Sequence, residues 1–351
     1  MSELRINNIT DRAGSSGPII AGVSTVTSTS HMVMPSGSSE FRRQDGGGRG
    51  RGIFGSGNTP SDTRNIDVIE IATLGNGVDF GDDSVDGRGE GNASFASSTR
   101  GIFAGGYNPG PSNMSGNIEY ITISSTGNAS FFGDLPIGTG ANCGTSDSTR
   151  GLSMGGSSPA FPAVVADIEY VTIASRGNAA DFGDLLEARW YAGACASPTR
   201  GFVAGGTQPG WTNIIQFVTI QTLGNAEDWG DLTDTTNGQG SGKHSACSNS
   251  TRGLVGGGEI SPGPHDDRVH YWSLASKGNS QDFGNLTDAR EYIGSTSSST
   301  RGLWAGGQTP TKLDIIDYVT ISTLGDATDF GDLTVARRFC MGLSDVHGGL
   351  G

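Results

Sequence analysis

The 351-residue sequence has little positive charge, few histidines and cysteines, no long apolar run and no helical periodicity. Lysine and arginine total 22 against 36 aspartates and glutamates, a formal net charge of −14. So acidic a surface repels phosphate, which argues against nucleic acid as a partner. No run approaches the roughly 20 apolar residues that span a bilayer, so no membrane insertion is expected. The opening Met1-Ser2-Glu3-Leu4-Arg5 lacks the basic start and apolar stretch of a secretory signal, and synthesis in the cytoplasm is the expectation.

Catalytic signatures are also scarce. The run Gly48-Arg49-Gly50-Arg51-Gly52 has no Gly-Lys-Ser/Thr after it and no strand-loop-helix context, so it is not a phosphate loop. Asp-Phe-Gly occurs four times, at Asp79, Asp181, Asp282 and Asp329, without the other kinase elements. No nucleophile–base pair or activated cysteine stands out. The group His244, His265, Asp266 and Asp267 is the one metal candidate, and surface acids and histidines usually face water. The expectation is a protein that is not an enzyme and has no cofactor or metal.

What the sequence has is glycine, 59 residues of it, at recurring positions. Arg-Gly begins at Arg51, Arg100, Arg150, Arg200, Arg252 and Arg301, in steps of 49, 50, 50, 52 and 49. Each unit adds a double glycine, an apolar run and a Gly-Asn-Ala-x-Asp-Phe-Gly-Asp-like segment. A period near fifty with these features predicts an all-β, six-bladed β-propeller. Four strands per unit follow. Strand a is a small-residue run such as Ala192 to Ala196, and strand b ends in the double glycine. Strand c is apolar, as in Ile118 to Ile123. Strand d carries Phe80, Phe132, Phe182, Trp229, Phe283 or Phe330, which predicts packing between blades. Cys143, Cys195, Cys247 and Cys340 mark strand a of different repeats and read as small buried hydrophobes.

The two ends are out of register. Residues 46–50 offer no strand a for the first unit, whereas 336–344 repeat the start of a unit once more. Joining them predicts a ring over residues 46–351, closed by a C-terminal strand at 339–346. Residues 1–45 lie outside the repeat. Leu4 to Ile9 and Ile19 to Pro35 are β-like, and so small an arm is expected to pair with another chain or dock on a partner.

The units resemble the kelch family of propellers. The resemblance rests on the double glycines at 105–106, 155–156, 205–206, 257–258 and 306–307, and on the third-strand rings Tyr120, Tyr170, Phe217, Tyr271 and Tyr318. Opening arginines Arg189, Arg290 and Arg337 add to it. The first blade departs, with Ser56-Gly57 and Val68. A second resemblance is to virion proteins of tailed bacteriophages, especially the tail-fibre and tail-appendage proteins of marine ones. It rests on Glu3–Asn8, on Gly22–Thr29 leading to Met34-Pro35-Ser36-Gly37, and on the Gly-Asn-Ala-x-Asp-Phe-Gly-Asp-Leu and Ser-Thr-Arg-Gly pieces. It implies a structural protein of the virion, made in the host cytoplasm. Residues 1–45 would attach to other virion proteins, and the remainder would project towards a virion neighbour or a host surface glycan or protein. A homo-oligomer is left open. Alternatives are a propeller enzyme acting on surface glycans and an intracellular kelch-type scaffold.

Comparing the units with one another separates two faces. From second glycine to strand c the spans are 9, 12, 12, 9, 11 and 9 residues (57 to 66, 106 to 118, 156 to 168, 206 to 215, 258 to 269, 307 to 316), and the d–a connections vary too. From the start of strand c to the strand-d ring the span is always 14 (66 to 80 in the first unit, 316 to 330 in the last). In an up-and-down blade the b–c and d–a connections share one side, so the variation falls on one face. That face carries Tyr107, Phe161, Trp190, Tyr191, Trp211, His244, His265 and Tyr292, a candidate protein- or sugar-binding set. The constant face carries Arg51, Arg100, Arg150, Arg200, Arg252 and Arg301. They are expected to be structural, pairing with repeat acids such as Asp82, Asp134, Asp184, Asp231 and Asp332.

Overall fold

A computed structural model describes residues 50–59, 63–84, 91–107, 114–159, 163–207, 210–233, 240–260 and 263–350. The expected arm, 1–45, lies outside the described residues. The chain is an all-β propeller of six blades, each a four-stranded antiparallel sheet. Blade 4 is typical: Gly193–Ala196 (a), Arg200–Ala204 (b), Ile214–Thr219 (c) and Glu227–Asp231 (d), hydrogen-bonded in that order. The apolar runs between glycines form these strands because they bury against the next blade. Ile118, Ile121 and Ile123 of the blade 2 run are all buried, as are all six strand-d rings.

The double glycine ends strand b for a steric reason. Gly205 and Gly206 have φ of +62° and +101°. A Cβ on Gly205 would stand 2.5 Å from the Ser241 carbonyl oxygen, which accepts from Gly206 N–H at 2.8 Å. Blade 1 manages with Ser56 at φ +59°, its hydroxyl donating to Asp83 Oδ2 at 2.7 Å.

Strand a of blade 1 comes from the far end of the chain. Met341–Ser344 runs antiparallel to Arg51–Gly55, with Leu343 opposite Ile53 and Gly342 opposite Phe54. Asp345 Oδ1 accepts from the N–H groups of Gly50 (3.0 Å) and Arg51 (2.8 Å), which fixes that join. The tail then turns across the axis as a short 3-10 turn, Gly348–Leu350. There His347 Nε2 meets the Ala96 carbonyl at 2.8 Å, and Gly348 and Gly349 lie against the carbonyls of Ala196, Asn249 and Ser146.

Blades grip one another at three radii. On the outside, the Gly-Asn of one blade meets the Phe-Gly-Asp of the blade before. Asn128 Oδ1 accepts from Asp82 N–H at 3.1 Å, and a Cβ on Gly81 would lie 2.6 Å from the Gly127 carbonyl. The same close approach recurs at Gly133, Gly183, Gly230, Gly284 and, across the chain join, at Gly331 against Gly75. On the inside, serine hydroxyls stitch neighbouring a strands. Ser146 donates to the Ala96 carbonyl, Ser248 to Ala196, Ser297 to Ser248 and Ser344 to Ser297.

At mid-radius sit the six arginines, and their partners differ from those expected. Arg51, Arg100, Arg150, Arg200, Arg252 and Arg301 donate through Nη1 to the carbonyls of Ile123, Ile173, Ile220, Leu274, Ile321 and Ile71, at 2.6 to 3.1 Å. Each carbonyl belongs to the next blade, and the last bond closes the circle. Pairing with the strand-d acids is thereby corrected. The strand-c carbonyls end on the same side as the Arg-Gly turn and are left unpaired at the sheet end, whereas Asp82 and its equivalents serve the outer clasp. Four of the guanidinium groups also lie 4.5 to 4.7 Å over Tyr120, Tyr170, Tyr271 and Tyr318.

The cysteines are free thiols: Cys143, Cys195 and Cys247 lie in a strands, and Cys340 directly precedes one. Burial pushes the Cys195 thiol up to about 12.

Candidate binding face

The b–c and d–a connections meet at the end of the propeller away from the arginines. In each blade the chain enters strand a through a residue in the left-handed region. These are Gly91, Ala141, Tyr191, Lys243, Tyr292 and Phe339, with φ between +42° and +59°. Their backbones are joined about the axis by five hydrogen bonds that run in one arc from Gly91 to Phe339. Ala141 N–H donates to Gly91 O, Tyr191 to Ala141, Lys243 to Tyr191, Tyr292 to Lys243 and Phe339 to Tyr292, at 2.7 to 3.0 Å. Five of the six lack glycine's freedom, so the hydrogen-bonded arc holds a backbone that side chains disfavour.

The side chains on this arc differ on its two sides. Gly91 and Ala141, on blades 2 and 3, carry no large side chain. Opposite, Tyr191 reaches across the axis to Tyr292 and Phe339, with ring centroids 5.5 and 6.1 Å away, and those two are 4.0 Å apart. Trp190 lies against Tyr191 at 5.0 Å. Phe339 is buried beneath, while Trp190, Tyr191 and Tyr292 are half-buried. Under this aromatic island the axial cavity holds only about 70 Å³, room for a few waters and well short of a small-molecule pocket.

A polar cluster flanks the island on blades 5, 6 and 1. Lys243 Nζ bonds Glu259 and, at 2.9 Å, Glu291 Oε2, and lies 5.0 Å from the Tyr292 ring centroid. Burial pulls the Lys243 ammonium down, but the two carboxylates outweigh it and hold it above its ordinary value. Burial likewise acts to raise Glu291, and hydrogen bonds from Lys243 and Gln308 leave it lowered instead. Gln308 Nε2 donates to Glu291 at 2.8 Å, and Arg338 Nη1 to Gln308 at 3.0 Å. Arg338 also lies 4.9 Å over Phe339.

The residues singled out from the sequence are therefore placed differently from one another. Trp190, Tyr191 and Tyr292 come together at the axis. Tyr107 and Trp211 are folded into seams. The Tyr107 hydroxyl meets Ser157 Oγ at 2.8 Å over Gly140, and Trp211 lies on Gly242, where a Cβ would be 2.5 Å from its ring. His265 stands 3.9 Å from Glu291 at the edge of the polar cluster. His244 is buried below the arc, and burial lowers its pKa to about 4, so it is a neutral imidazole. Phe161 lies outside the described residues. No group of three or more metal-ligating side chains occurs among the described residues.

Sequence reasoning missed Lys243, Glu259, Glu291 and Phe339. The signal was faint but present. Gly91 occupies a place where Tyr191, Tyr292 and Phe339 stand in other blades, and a glycine aligned with large residues hints at positive φ.

No family model matches this chain, and no curated protein matches its sequence significantly. No helix among the described residues is long and apolar enough to cross a membrane.

Proposed function

We propose that this chain is a structural, docking component of a tailed-phage particle, a tail fibre or appendage protein. In this reading it is a kelch-type propeller that grips a virion neighbour or a host surface through the b–c and d–a face. Residues 1–45 would join it to other virion proteins. One observation supports docking above all. Contacts that every blade needs are repeated around the ring, while the large aromatic and charged side chains that differ between blades gather about the axis on one face. The virion assignment itself rests on the sequence resemblance at Glu3–Asn8, Gly22–Gly37 and the repeat pieces.

Catalysis is the weaker reading. The two carboxylates nearest the island, Glu259 and Glu291, are both engaged by Lys243, and Glu291 is held below its ordinary value, whereas glycan cleavage requires a protonated acid. The test is mass spectrometry and antibody labelling of purified particles, with the full chain added as a competitor of adsorption. The chain is expected in the particle and is expected to slow adsorption or block reassembly. A chain found only in infected-cell cytosol would overturn the proposal.

A further inference from the structure

The aromatic island has a chemistry of its own. Trp190, Tyr191 and Tyr292 offer a half-buried, contiguous set of rings at the centre of the face. On one flank are the partly exposed polar groups of Lys243, Gln308 and Arg338, tied together by the buried Glu291 carboxylate. On the other, Gly91 and Ala141 bring no large side chain. We propose that this island binds a neutral, pyranose-based glycan, an assignment that rests on the reading of this face as the docking face.

The argument has three parts. A pyranose presents C–H groups on its faces and hydroxyls around its edge, so its receptor needs ring faces with donors and acceptors beside them. The island and its polar flank supply both within one sector of the face. The second part is charge. Lys243 and Arg338 are balanced by Glu259 and Glu291, and Lys243 bridges both carboxylates. An anionic glycan would gain no net attraction there and would meet the repulsion of a chain with net charge −14. A cationic ligand would have to displace a lysine already in place. The third part is shape. The cavity of about 70 Å³ below the rings cannot admit a sugar, so the glycan lies across the face. The arc of N–H···O bonds from Gly91 to Phe339 fixes the backbone under the rings beforehand, which lowers the ordering cost of weak sugar contacts.

The test uses the full chain. Oligosaccharides of glucose, galactose, mannose and N-acetylglucosamine are titrated while tryptophan fluorescence and heat are recorded, with polygalacturonate as the anionic comparator. At least one neutral oligosaccharide is expected to bind saturably and with little salt dependence. Trp190→Ala and Tyr292→Ala should each weaken it about ten-fold, and Leu223→Ala on the opposite rim should leave it unchanged. The Tyr292 variant should fold, because Ala141 stands at the same place in blade 3. Failure of all neutral oligosaccharides, binding of polygalacturonate alone, or unchanged binding by Trp190→Ala would overturn the proposal. Adsorption competition by the same variants separates the two readings. If Trp190→Ala stops the chain from competing while no sugar binds, the docking face stands and the glycan falls. If sugar binds at the island but competition is unaffected, the docking reading fails.

Discussion

The third residue of strand c, Gln216 in blade 4, shows how one site can be solved differently from blade to blade. Asp67 and Asp317 sit there fully buried, each 3.0 Å from a buried arginine, Arg337 and Arg290. Removing Asp67 would strand Arg337, so Asp67→Ala should cost about 3–5 kcal/mol in urea unfolding. Blade 4 has Gln216, whose Oε1 accepts from Leu186 N–H at 2.8 Å. Blade 3 has Glu169, buried, with Thr139 where Arg189, Arg290 and Arg337 stand in the connections into blades 4, 6 and 1, and no hydrogen bond reaches its carboxylate among the described residues. Burial first, then Asp167 and Asp181, push Glu169 up to about 7. A raised carboxylate pKa makes the fold lose stability as pH rises from about 4.5 to about 7. Glu169→Gln should therefore stabilise the protein, by an increment that grows through that window to about 1–3 kcal/mol at pH 8. His244 has the opposite sign. Its pKa of about 4, set by burial, means stability is lost as pH falls from about 6.5 to about 4. His244→Asn should flatten that acid limb, since Asn142 and Asn92 hold the same place in blades 3 and 2; an unchanged pH profile of the melting temperature would contradict it.

Elements hold together through contacts between blades, and here the reading of the sequence ran short. The strand order, the strand-d rings and the double glycines were legible because each obeys a short-range rule. The Gly-Asn and Phe-Gly-Asp motifs were visible as repeats, but their partner is the copy one blade away, which spacing cannot reveal. The arginines were misassigned to acids for a related reason. The unpaired strand-end carbonyls they satisfy are backbone groups and leave no mark in the sequence. Gly331→Ala should destabilise by about 1–3 kcal/mol, because its Cβ would stand 2.6 Å from the Gly75 carbonyl. Arg200→Gln should cost about 1–2 kcal/mol by loosening the 3.1 Å bond to Leu274 O. Both would appear as a lower denaturation midpoint with an unchanged slope.

At the scale of the whole molecule, the first blade keeps its inner strand, and its strand b stays paired on both sides, only while the C-terminal strand is in place. Deleting residues 341–351 removes the partner of Arg51–Gly55 and the tail that crosses the axis, and should give an aggregating chain without a cooperative melt. Closure also leaves two unlike faces. The arginine end is repeated six times with its exposed leucines, Leu74, Leu223 and Leu324, on the c–d turns. The other end carries the aromatic island. The uneven spans marked that end as variable, but not its centre, because Tyr191, Tyr292 and Phe339 are brought together only by closing the circle. The most direct test compares two triple variants of the full chain as competitors of adsorption. Trp190→Ala/Tyr191→Ala/Tyr292→Ala should lose at least about ten-fold in potency while melting cooperatively, and Leu74→Ala/Leu223→Ala/Leu324→Ala should compete like the parent. Loss of competition by the leucine variant alone would contradict the account.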